Sequence, residues 1–322
     1  MKSMHNELIK AIYELMHHRK DIFFLSSDFG APALDALRVT FKDRFINVGI
    51  AEQNLINLSA GLALEGFTVF AYGMAAFIST RAYEQIRTNL SLHACFKSLN
   101  VNIISVGAGL SYDKSGPTHH CLDDISLIRL LPNIELFSPC DWVTTKKLLG
   151  YCCDVSCPKY LRLDRYPQNA LYAENNEYNF KKGYHQMASG RHGAIISTGI
   201  MTHNALHARQ ILQEKQIEFA VFDVFNLKTF DALSMYMAIK AYDFILTIEE
   251  GFTGLSGLDS CISNLLRMNN NQKTTFMSLG IKNAHIFELG RMDIHGKYGL
   301  SPEKIADKII EVSKKNGCVN QR

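Results

Sequence analysis

The stretch VGIAEQNLINLSAGLALEG, residues 48–66, decides how this chain is read. It follows the apolar-ended run RFINV and opens a helical pattern with a carboxylate, Glu52, set among residues that favour burial. Leu55, Leu58 and Leu62 recur at i, i+3 and i+7, with Ala60, Gly61 and Ala63 beside them for close packing, and Glu65-Gly66 ends the pattern. An acid in a first helical turn has an ordinary explanation, because unpaired backbone N–H groups and the helix dipole attract negative charge there. The alternative is a buried acid that works through a hydrogen bond to a ligand.

On either side of this helix, apolar β-rich runs alternate with helical patterns. DIFFLSSD, RFINVGI, GFTVFAY, LNVNIISVGA and NIELFSPCD read as strands, and short apolar strands separated by helices mark a parallel sheet covered on both faces. Periodicity fades and Asn, Glu and Lys accumulate over 169–186, which reads as an interdomain linker. A second unit follows, with strands expected at GAIISTGI, EFAVFDVFN, FILTIEE and NAHIFELG and helices at HNALHARQILQEK and PEKIADKIIEV. The expected class is α/β with two doubly wound domains, at 1–168 and 187–322.

Composition narrows the function. The 322 residues are 47% hydrophobic and 20% charged, an ordinary globular balance for about two domains. A net charge of +3 spread along the chain gives no footprint for nucleic acid or for an anionic membrane. The N-terminal MKSMHNELIKAIYELMHHRKD carries Glu7 and Glu14 in an amphipathic pattern rather than a secretory signal, so a cytoplasmic chain is expected. The apolar run Ala60–Ile78 is interrupted by Glu65-Gly66 and reads as helix, turn and buried strand. Cys152, Cys153 and Cys157 lack the spacing and the histidines of a zinc site and read as reduced, packed thiols. The loop GAGLSYDKSGPTHH matches neither GxxxxGK[ST] nor GxGxxG, and no HExxH, GxSxG or GDG occurs.

VGIAEQNLINLSAGLALEG, FAYGMAAFISTRAYEQIR and GLSYDKSGPTHHCLDDISLIRLLPN, in that order and spacing, resemble the pyrimidine-binding domain of the thiamine diphosphate enzymes of the transketolase family. STGIMTHNALHARQIL, FDVFNLKTFD and LTIEEGFTGLSG resemble that family's C-terminal domain, so the likeness covers essentially the whole chain. It implies a pyrimidine-binding domain followed by a transketolase C-terminal-like domain, with thiamine diphosphate as cofactor. That cofactor supplies carbanion chemistry at its thiazolium, promoted by a carboxyl group hydrogen-bonded to N1' of its pyrimidine. By resemblance, Glu52 is that group.

The same resemblance assigns further candidates. A ring stacks on the aminopyrimidine in the family, and the matching stretch offers Phe77 first and Tyr72 second; such stacking is worth roughly 0.5–1.5 kcal/mol beyond burial. Arg81 falls near a family arginine beside the site, and a salt-bridged helix residue is the equal alternative. His119 matches a histidine that faces the substrate and assists proton transfer, with His120 beside it. Arg162 or Arg165, in YLRLDRYP, lies where family members anchor a sugar phosphate, and ion pairing is the competing reading of each.

Two departures matter. Ser115 stands where transketolases commonly carry an aspartate before GPTH, and a phosphate-binding histidine of many members falls near Ser105. Both imply a substrate other than ordinary pentose phosphates. The family's diphosphate-binding domain, with its GDG and asparagine for Mg²⁺, has no counterpart in these residues. The resemblance therefore implies a separately encoded N-terminal diphosphate-binding subunit that holds Mg²⁺, in an α2β2 heterotetramer. The expected reaction moves a two-carbon ketol unit from a phosphorylated ketose to an aldose. The alternatives are a deoxyxylulose-phosphate-synthase-like decarboxylating subunit and a non-catalytic assembly subunit.

Overall fold

In the computed structural model, which describes residues 1–315, every run read as a strand in the first half of the chain forms one. They are β1 (Ile22–Ser26), β2 (Phe45–Asn47), β3 (Thr68–Met74), β4 (Val101–Val106) and β5 (Glu135–Phe137), joined by β6 (Lys159–Leu163). All six run parallel in the order β2-β1-β3-β4-β6-β5. β4 and β6 are buried along their whole length, as a sheet covered on both faces requires. This sheet belongs to a first unit comprising Met1–Tyr112 and Thr118–Tyr178.

β6 escapes a reading of apolar runs because Lys159 and Arg162 interrupt it. Both are buried, and each is paired in place. The Lys159 ammonium donates to Asn100 Oδ1 at 3.2 Å and to the Cys157 carbonyl at 2.9 Å. The Arg162 Nε lies 3.0 Å from both carboxylate oxygens of Asp124. A charge fully enclosed in this way behaves as a core residue.

The helix Glu52–Leu64 begins and ends where the sequence places it, but its inward face is turned. Leu55, Ile56, Ser59, Ala60 and Ala63 are buried while Leu58 is exposed. The buried face carries the small residues Ser59, Ala60 and Ala63, and the helix packs against β3.

The second unit holds Asp113–Pro117 and the chain from Asn179 on, with residues 316–322 of the expected second domain outside the described residues. Its sheet contains β7 (Tyr184–Ala188), β8 (Gly193–Ser197), β9 (Phe219–Val224), β10 (Phe244–Phe252) and β11 (Thr275–Ile281), in the order β11-β10-β8-β9-β7. β7 is the antiparallel edge and begins inside the stretch read as linker. The strand expected at NAHIFELG is absent. The strand on the outer side of β10 is instead TFMSLGI, an edge strand whose side chains are mostly half-buried. Among the described residues no helix is long and apolar enough to cross a membrane.

Candidate active site

Parallel strands bring their carboxyl ends to one edge of a sheet, where loops converge and open α/β proteins bind ligands. Glu52 follows β2, Phe77 follows β3, Tyr112 and His119 follow β4, and Arg165 follows β6. The topology alone therefore gathers these side chains along one edge of the first sheet.

Glu52 is placed by a tight turn. After β2, Asn47 Oδ1 accepts from the Gly49 N–H at 3.0 Å, and Gly49 takes φ +75, a conformation that favours glycine. The chain then enters the helix at Glu52, whose N-cap Ala51 offers no side-chain cap. Glu52 is 2% exposed, and its Oε2 lies 2.5 Å from Arg81 Nη1. The Arg81 side chain, by contrast, is 45% exposed.

Arg81 also lies over the Phe77 ring, 5.1 Å from its centroid. Phe77 is half-buried against Ala75, Ala76 and Cys121. Its other neighbour is His119, edge-on at 5.4 Å. Beyond His119 comes Tyr112, with ring centroids 6.0 Å apart, and beyond Tyr112 the Arg165 guanidinium at 4.7 Å from the ring centroid. Arg81, Phe77, His119, Tyr112 and Arg165 thus form one continuous series, in the spatial order β3-β4-β6 of the strands that carry them. Thr118 Oγ1 sits 2.9 Å from His119 Nδ1.

The two arginines of YLRLDRYP have opposite surroundings. Arg162 is 3% exposed and committed to Asp124, with a further donation to the Cys121 carbonyl at 3.3 Å, so it is a core ion pair and the phosphate reading of this residue is set aside. Arg165 is exposed. Tyr72, the second candidate for stacking, lies wholly inside the sheet between Phe24 and Phe29, and burial pushes its phenol pKa well up. It offers no face to a ligand. Ser115 is exposed in the short segment that belongs to the second unit, His120 is buried, and Ser105 donates to Tyr160 Oη at 2.5 Å.

Tyr112 is the residue that sequence reasoning missed. It is seated by Gly107, which holds φ +110 and whose missing Cβ would lie 2.4 Å from Tyr112 Cε2. Burial pushes the Tyr112 phenol above its ordinary pKa, against the pull of Arg165. No spacing rule announces such a contact, although a glycine closing a buried strand hints that something packs on the backbone.

A carboxylate at a helix start and a partly exposed ring, sharing one arginine, are the donor set that an aminopyrimidine needs: a partner for a ring nitrogen and a face for stacking. The family profile described as the transketolase pyrimidine binding domain matches residues 2–167, and that described as the transketolase C-terminal domain matches 183–305. The chain belongs to the transketolase family, which is thiamine diphosphate dependent.

Among relatives, it is 30% identical to a "Putative transketolase C-terminal section" of Methanocaldococcus jannaschii, over 98% of this chain and 97% of that one. It is 31% identical to one subunit of an apulose-4-phosphate transketolase of Phocaeicola vulgatus, over 94% of this chain and 95% of that one. The solved structure "Split gene transketolase, inactive beta4 tetramer" superposes with a TM-score of 0.85 at 27% identity, covering 97% of this chain and 98% of its own.

Proposed function

We propose that this chain is the pyrimidine-binding and C-terminal subunit of a split transketolase that moves a two-carbon ketol unit from a phosphorylated ketose to an aldose. The observation that carries the reading is Glu52, enclosed at a helix start, with its one exposed partner shared by the Phe77 ring. Thiamine diphosphate, when bound, supplies the carbanion chemistry that breaks a bond next to a ketone. Glu52 holds and moves a proton at the pyrimidine nitrogen N1', and the low exposure of its carboxyl keeps water from competing for that hydrogen bond. Phe77 stacks on the pyrimidine. Arg81 gives up the carboxylate to the ligand and turns to water, which its partly exposed side chain already meets.

His119, held between two rings, takes and returns the proton of the substrate hydroxyl whose loss accompanies bond cleavage. Arg165 meets the phosphate at the far end. Ser115, in place of the acid that transketolases commonly carry, supports a donor other than ordinary xylulose 5-phosphate. Diphosphate and Mg²⁺ fall to a separately encoded partner in an α2β2 assembly in the cytoplasm. Subunit-type relatives spanned almost end to end support that division.

The test is reconstitution with a diphosphate-binding partner chain. The complex is given a panel of ketose phosphates with an aldose acceptor and, separately, pyruvate with an aldehyde. Ketose cleavage with release of an aldose phosphate is expected. Release of CO₂ from pyruvate without ketose cleavage would move the chain to the decarboxylating reading.

A further inference from the structure

The ring series does more than place His119. A histidine needed for proton transfer and an arginine needed for an anionic group are usually set by separate supports, whereas here one side chain touches both. Tyr112 lies 6.0 Å from the His119 ring on one side and 4.7 Å from the Arg165 guanidinium on the other, centroid distances within ordinary ring and cation contact. Tyr112 is itself fixed. It is 7% exposed, and its ring lies so close over Gly107 that no side chain fits beneath it. His119 cannot swing away on the opposite side, because Phe77 closes that side edge-on. Arg165 is exposed and has the long, rotamer-rich stem that a ring contact steadies.

We propose that Tyr112 is a positioning residue that fixes the spacing between His119 and Arg165, so that a substrate is selected jointly by its reacting hydroxyl and by an anionic group at its other end. The inference rests on the ketol-transfer reading for its choice of substrate. The ligand class it defines is a ketose whose phosphate sits at the distance set by one tyrosine ring. A phosphate-free sugar gains from His119 only. Both contacts are with the ring, Arg165 lying over it and His119 tilted to it by 53°, so phenylalanine replaces tyrosine and an aliphatic residue does not.

The experiment uses the reconstituted complex with Tyr112→Phe, Tyr112→Leu, Arg165→Ala and the double variant Tyr112→Leu/Arg165→Ala. The reading is the ratio of kcat/KM for a ketose phosphate to that for the same sugar without phosphate. Tyr112→Leu lowers this ratio by about two- to five-fold, the size of a cation–ring contact at a partly exposed site. Tyr112→Phe leaves it at the wild-type value, and Tyr112→Leu adds nothing once Arg165 is alanine. Full additivity of the two losses, or an unchanged ratio in Tyr112→Leu, overturns the proposal.

A second readout needs no activity. In the full-length chain the His119 ring C–H resonances carry the ring-current displacement of Tyr112, kept in Tyr112→Phe and lost in Tyr112→Leu. An unmoved His119 signal in folded Tyr112→Leu also overturns the proposal. If the wild-type complex cleaves no ketose at all, the ketol-transfer reading fails, and the His119 resonances still decide whether Tyr112 positions that ring.

Discussion

Two glutamates in this chain each hold an arginine at 2.5 Å, one in each unit, and they differ in what surrounds the pair. Glu52 meets an arginine whose side chain is 45% exposed, beside a half-buried ring. Glu250, in β10, meets Arg291 at 11% exposure, and its other oxygen lies 2.5 Å from His295 Nε2, with His295 buried in turn. Asn204 closes the far side of that imidazole at 3.3 Å, and the Arg291 backbone donates to Asp113 at 2.8 Å. The chemistry of the pair is the same. Enclosure decides the use: a pair with a solvated partner can be opened by a ligand, whereas a pair locked from every side serves the fold.

The sharpest break in this contrast is Glu52→Gln. The amide keeps the shape but loses the proton relay, so turnover of the reconstituted complex falls by about 10²–10⁴-fold. The melting temperature stays near wild type, because Arg81 remains solvated. Activity within about threefold of wild type, well under the usual acid-base contribution, breaks the assignment.

Next in size is Glu250→Ala, which leaves the largely enclosed Arg291 without its carboxylate. Urea denaturation should show a loss of about 3–5 kcal/mol in unfolding free energy. A loss below about 1 kcal/mol, the size of a surface pair, would put both glutamates in one category.

Smaller again is Arg165→Ala. It removes charge-assisted hydrogen bonds to a phosphate, about 1.5–3 kcal/mol, and so weakens kcat/KM for a ketose phosphate while stability holds within about 0.5 kcal/mol. The reverse pattern, lost stability with unchanged kinetics, would identify Arg165 with its buried neighbour Arg162.

The gentlest lever is pH. Burial alone would raise the Glu250 carboxyl, but Arg291 and His295 outweigh it and hold its pKa below the ordinary 4.5. A depressed folded-state pKa means stability that is present above 4.5 and is lost as pH falls below that value. Thermal melts of wild type and Glu250→Ala should therefore converge on acidification and diverge toward neutrality. Parallel curves from neutral to acid would remove Glu250 from the account.

Much of the candidate site was legible through the motifs shared with the transketolase family: the resemblance singles out Glu52, Phe77 and His119, and each follows a run whose composition announces β structure. The choice between Arg162 and Arg165 was not legible. Both fall within one hexapeptide, and only the side on which Asp124 lies tells the core arginine from the exposed one. Tyr112 was hidden for a related reason, since its partners lie on the connection after β4 and on the one after β6, and no local periodicity links them. β6 was obscured by the two charges that its neighbours neutralise. What sequence patterns carry is local; what they omit is which distant group cancels a charge or seats a ring.

Calorimetric titration decides whether this chain supplies the pyrimidine half of a thiamine diphosphate site. Thiamine diphosphate with Mg²⁺ is titrated into the chain alone, the diphosphate-binding partner alone, and the complex of the two, with Phe77→Ala in the complex as a fourth sample. Saturable binding to the complex, no tight binding to either chain alone, and an affinity lowered about two- to ten-fold by losing the ring are expected. Micromolar affinity of this chain without a partner, or equal affinity of the partner with and without it, would contradict the account.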